Sequence, residues 1–176
     1  MVIAMEEKMP LDWIHARRSI RKYTAEPVSE AVVTELLEAA MAAPSAGNQQ
    51  PWHFIVIRDR AVLNAVPGFH PHASMAPHAP VAILVCGDPA LEKHPGYWVQ
   101  DCAAATENLL LAAVAKGLGA VWCGVYPKTE RVEGFTRLLG IPAPVTPFAF
   151  VPIGHPAESK PPARRYNPER VHLDRW

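Results

Sequence analysis

An α+β domain, with helices set around a single sheet, is the fold class that this sequence predicts. Three observations carry it. Apolar runs of strand length stand at residues 53–57, 81–87, 119–125 and 146–154. Stretches with helical spacing lie between and before them, at 29–43, 97–116 and 129–140. The two kinds alternate irregularly and no hairpin signal joins any pair of strands, which places helices around one sheet.

Each element has a local reason. Residues 10–17 read as a short helix ending in basic residues. In SEAVVTELLEAAMAA, Ser29 suits an N-cap, and Val33, Leu36, Leu37 and Ala40 form one apolar stripe opposite Glu30, Thr34, Glu35 and Glu38. Pro44 stops that helix, and SAGNQQP follows as a loop. HFIVI (53–57) is a strand, with a short helix over 60–66 and a turn at Pro67-Gly68 after it. VAILVCG (81–87) is apolar without a break, as a strand buried on both faces must be. Residues 97–116 form the longest helix, apolar nearly all round over 103–115, which suits the middle of a domain or an oligomer interface. GAVWCGV (119–125) is a strand, TERVEGFTRLLG a helix closed by Gly140, and TPFAFVPIG (146–154) the last core strand. Residues 155–176 are proline-rich and polar and carry five lysines or arginines. They are predicted as an extended tail of a single domain spanning 1–176.

Composition excludes several classes of function. Seventeen basic residues balance seventeen acidic ones, so no general field favours nucleic acid or an anionic membrane, and an anion site must be local. No apolar run approaches the roughly 20 residues of a transmembrane helix. The opening MVIAMEEKMP has acidic residues and no extended apolar stretch, unlike a secretory signal. Cys86, Cys102 and Cys123 are odd in number and lie in apolar surroundings, so a reduced, cytoplasmic setting is expected. Neither G-x-G-x-x-G nor G-x-x-x-x-G-K-[ST] occurs, so neither a dinucleotide fingerprint nor a P-loop is supported.

Two segments carry candidate chemistry. Arg17, Arg18, Ser19 and Arg21 put three guanidinium groups and a hydroxyl within five residues, enough to surround a phosphate. The same residues could simply complement the dipole at a helix C-terminus. In APSAGNQQPW (43–52), small residues let the backbone approach a flat ligand, and Ser45, Asn48 and Gln50 can satisfy ring carbonyls and nitrogens. A plain turn also needs Pro, Gly and Asn, but not two amides and a tryptophan besides.

Taken in order, RRSIRKY, APSAGNQQPWHF, ENLLLAAVAKGLGAVWCGVYP and VPIGHPAE resemble the nitroreductase family, from about residue 12 to the end of the chain. The resemblance implies a sandwich with a central, mostly antiparallel sheet flanked by helices. It implies an intertwined homodimer whose tail extends over the partner. FMN would be the cofactor, NADH or NADPH the electron donor, and a nitroaromatic or quinone the kind of small acceptor, reached by ping-pong exchange. Arg17, Arg18, Ser19 and Arg21 would hold the FMN phosphate and ribityl chain, with Arg165 and Arg164 returning to it from the tail. Pro44, Ser45, Ala46 and Asn48 would contact the flavin from the partner, and Gly124 and Val125 would offer backbone N–H groups to N5 and the neighbouring carbonyl. No side chain is cast as catalytic. A flavin store or sensor without turnover, or a flavin reductase or dehalogenase of the same superfamily, is the alternative.

Weaker signals complete the reading. His70, His72 and His78 include an H-x-H pair, but without Cys or carboxylate neighbours they read as a solvated or pocket-lining loop, not a metal site. Cys123 has no base beside it in sequence and is not read as a nucleophile. Asp101 and Glu107 are read as interface hydrogen-bonding groups.

Overall fold

The computed structural model describes residues 10–176. The reading of the chain's start as no secretory signal falls on residues outside them. In chain order the elements are α1 (Pro10–Ala16), α2 (Glu30–Met41), β1 (Trp52–Ile57), α3 (Arg60–Ala65), β2 (Val81–Gly87), α4 (Trp98–Ala115), β3 (Gly119–Ala120), β4 (Cys123–Gly124), α5 (Thr129–Leu139) and β5 (Thr146–Gly154). The strands form one sheet in the order β1-β2-β5-β3, with β4 also on β5, and every ladder is antiparallel. The α+β class is therefore the observed one.

β2 is buried along its whole length because both faces of the sheet are covered. Val81 and Ile83 meet α2 and α4 through Val33, Leu36, Leu109 and Ala113. Alternation turns Ala82, Leu84 and Cys86 to the opposite face, against Leu63, Val66, Phe135 and Phe150. Burying one Leu or Phe side chain contributes roughly 1.5–3 kcal/mol, so these two layers hold the sheet.

Local signals act where the sequence places them. The Ser29 side chain accepts the Val32 N–H and caps α2, and Gly140 ends α5 in the left-handed region at φ 63°. One element departs from expectation. The strand foreseen over 119–125 divides into β3 and β4, although both keep a single register on β5: Ala120 faces Ile153 and Cys123 faces Phe150. That register puts Val121 opposite Pro152, which has no N–H to give the ladder. On α4, Leu109, Leu110 and Ala113 are buried, while Leu111 and Ala112 stay half-buried.

Candidate functional site

Residues 17–24 extend the sheet beyond β3. Helix α1 ends as the Arg17 N–H donates to the Trp13 carbonyl, and Ser19 then forms a parallel bridge with Ala120. The Ile20 N–H donates to the Ala120 carbonyl at 3.0 Å. Gly119 permits the approach, since a Cβ there would stand 2.6 Å from Ile20 Cγ2. The chain returning from β5 takes the other edge. The Thr24 N–H donates to His155, the Ala157 N–H to Lys22, the Arg21 N–H to Glu158 Oε1 and Lys160 Nζ to the Ser19 carbonyl. The basic tail is thus tied to the basic segment before it reaches its arginines.

An extended segment turns successive side chains to opposite sides. Arg17 accordingly lines a groove of about 570 Å³ with Arg164, Arg165 and Tyr166. Arg18 lines a separate depression with Glu158 and Lys160. Arg17 and Arg18 thus line different depressions of this chain. In the groove, Arg17 Nε stands 3.1 Å from Glu107 Oε1. Three guanidiniums and one carboxylate leave two positive charges, the complement of a phosphate monoester dianion. Burial pushes the Cys123 thiol up to about 11, and the Arg21 and Arg131 charges oppose that shift.

β4 ends in a ledge. Val125 and Tyr126 N–H both donate to the Phe148 carbonyl at 3.1 Å, so the Val125 amide is already occupied within the sheet. In an antiparallel ladder that leaves Gly124, the residue between two bonded positions, with its N–H and carbonyl turned away from β5. The amide turned outward is therefore that of Gly124, whereas the Val125 N–H is engaged within the sheet. Nothing lies within 4 Å of where a Gly124 Cβ would stand, and Gly124 is partly open to solvent. Beneath the ledge, the Gly124 carbonyl accepts Arg131 Nη1 at 2.8 Å and faces His70 Nε2 at 3.0 Å.

The His70 loop is not uniform. His72 and His78 are exposed, but His70 is fully buried, so of the two readings of this loop the solvated one does not hold for His70. Phe69 holds it there, packing edge-on to Phe135 at 5.0 Å over Gly134 of α5. Burial, then the nearby Arg131 charge, lowers the His70 pKa and keeps the ring neutral.

Pro44, Ser45, Ala46 and Asn48 occupy another place. Gly47, Asn48 and Gln50 take left-handed backbone, with φ of 53°, 54° and 48°. Asp101 of α4 fixes the loop: Oδ1 accepts the Ala46 N–H at 3.0 Å and Oδ2 accepts Gln49 Nε2 at 2.6 Å. Gln49 Oε1 in turn accepts the Lys93 and His94 N–H groups. Asp101 and Glu107 stand six residues apart on α4, roughly 9 Å along the axis and 120° around it. None of the four loop residues lines the arginine groove of its own chain. Sequence reasoning missed the roles of Gln49, His70, Arg131 and Lys160: Gln49 and His70 lie in segments it singled out and Lys160 in the basic tail, but Arg131 gave no signal.

Fold and groove together define an α+β protein equipped to receive an anionic ligand. The model of the Nitroreductase family matches residues 14–79 and 70–155, and the chain belongs to that family. A Methanothermobacter thermautotrophicus protein, provisionally named NADH dehydrogenase/NAD(P)H nitroreductase, is 52% identical over 94% of this chain and 87% of its own length. The crystal structure of a provisionally named NADH oxidase from Clostridium acetobutylicum matches with a TM-score of 0.91 at 40% identity, covering 94% of this chain and 100% of that one. A provisionally named nitroreductase from Desulfovibrio desulfuricans, solved in complex with FMN, matches with a TM-score of 0.82 at 35% identity, covering 96% and 99%.

Proposed function

We propose that this protein is an FMN-dependent oxidoreductase that takes reducing equivalents from NADH or NADPH and delivers them to a small acceptor, such as a nitroaromatic or a quinone. One observation carries the reading: Arg17 and Arg164–Arg165, from opposite ends of the chain, converge on one groove with two net positive charges. FMN fits these residues. Its phosphate would be held by Arg17, Arg164 and Arg165, and its ribityl chain by Ser19. Arg18 and Arg21 would add to the phosphate and ribityl site, and the ring would lie over Gly124, where the space above the backbone is open. Bound FMN would supply the hydride-accepting ring, and the protein supplies orientation and charge.

Each site would be completed by Pro44, Ser45, Ala46 and Asn48 of a second copy, because these residues do not reach the groove of their own chain. A homodimer also accounts for the exposure of Tyr166, Leu173 and Trp176 on the tail, at 82%, 85% and 100%. The tail would extend over the partner, leaving a single domain over 1–176. The three free, buried thiols suit the cytoplasm. Among the described residues no helix is long and apolar enough to cross a membrane.

The test is direct. Purified protein should be yellow, dimeric in sedimentation at sub-micromolar concentration, and bleached promptly by NADH or NADPH without oxygen. Colour that persists after the nicotinamide is added would make the protein a flavin binder without turnover. With acceptor present, donor and acceptor taking turns over one ledge should give parallel double-reciprocal plots. Intersecting plots would show both bound together.

A further inference from the structure

We infer that His70 and Arg131 are positioning residues: a two-donor clamp on the Gly124 carbonyl that sets the ledge for the flavin ring and places a positive charge beneath it. This rests on the function proposed above. The geometry is specific. The Gly124 carbonyl can only accept, so His70 donates from Nε2, which leaves Nδ1 a bare lone pair. Nδ1 is buried without a partner, and so is Arg131 Nε. Two side chains with unsatisfied buried atoms are thus spent on one carbonyl that a single donor would satisfy, an arrangement costly for stability alone.

Glycine explains the need. Gly124 has no Cβ to restrict its backbone, and its openness is what a flat ring requires, so its orientation must be imposed from below. Arg131 makes no ion pair among the described residues. Its charge, with that of Arg21, opposes the upward shift that burial imposes on the Cys123 thiol next to Gly124. An uncompensated guanidinium there favours negative charge on a ring above it, and so favours reduced over oxidised flavin.

The experiment compares Arg131→Met, Arg131→Lys, His70→Phe and His70→Gln with the wild type as purified dimers. It reads FMN dissociation constants, the visible flavin spectrum and the flavin midpoint potential. Arg131 is half-buried on α5 and Met is a good helix former, so Arg131→Met is expected to fold. It should lower the midpoint potential, binding reduced FMN about tenfold more weakly relative to oxidised FMN, while Arg131→Lys keeps most of the potential. His70→Phe should shift the flavin spectrum, and His70→Gln, which keeps a donor, should restore it. Wild-type spectrum and potential in both Arg131→Met and His70→Phe, with FMN bound, would overturn the clamp and leave the proposed function standing. A wild-type protein that binds no FMN would overturn both.

Discussion

The arginine groove and the Gly124 ledge are built in opposite ways. The groove is made of side chains: Arg164, Arg165 and Tyr166 are exposed, and Arg17 is oriented by a single ion pair to Glu107. The ledge is made of backbone, and the groups that shape it, His70 and Arg131, lie beneath it. Charge acts over several ångströms, so a groove for an anion tolerates mobile arms. A backbone N–H acts over about 3 Å and must be held still. Under the proposed function, largely exposed side chains would suffice at one end of the site, while the other would require the packed core.

The largest effect expected from breaking this contrast is at the groove. Arg17→Ala combined with Arg165→Ala should weaken FMN binding by about a hundredfold or more, since each charge-assisted hydrogen bond is worth roughly 1.5–3 kcal/mol. Riboflavin, which lacks the phosphate, should lose little. Equal losses for the two ligands would remove the phosphate from the groove.

At the ledge, Gly124→Ala should do the reverse. Its methyl group meets no protein atom, so thermal unfolding should change by less than about 0.5 kcal/mol. FMN and riboflavin should both bind about tenfold more weakly, as expected when a methyl group overfills a contact surface. Unimpaired binding would move the ring off Gly124.

The Asp101 hub sharpens the comparison through stability. Asp101→Ala strands the Ala46 N–H and Gln49 Nε2 together, at a cost of about 1–3 kcal/mol in unfolding free energy. In the dimer it should also weaken flavin binding by releasing the loop at 45–48. An unchanged melting temperature would mean that water replaces the carboxylate.

Acid tests the buried histidine. The native pKa of His70 is lowered, so the unfolded chain takes up a proton below about pH 6.5 while the native ring resists. His70 therefore contributes no penalty above that pH, and stability falls as pH drops from there through the native value. His70→Gln should flatten the acid side of a melting-temperature profile. An identical slope would mean that other groups govern it. The smallest effect belongs to Glu107→Gln. The half-buried pair is open enough to solvent to contribute at most about 1 kcal/mol, so stability should barely move, while FMN affinity should rise a few-fold at low salt. Weaker binding would instead show that Glu107 is needed to aim Arg17.

Much of this molecule was written in local chemistry. Ser29, Pro44 and Gly140 bound their helices through side-chain capping, a missing N–H and a left-handed backbone, each of which acts within a few residues. The unbroken apolarity of 81–87 foretold a strand covered on both faces. The run of arginines at 17–21 stood out as a candidate anion site because guanidinium charge is a property of the residue itself. Tertiary structure decided what depends on direction and distance. It separated Arg18 from Arg17, because an extended segment alternates its faces. It divided the strand at 119–125, because Pro152 happens to lie across from Val121. It buried His70 under Gly124 rather than leaving it in water, because Phe69 packs into the space over Gly134 on a helix far along the chain. Residue type determines which interactions are available, but only packing brings partners distant in sequence within hydrogen-bonding range.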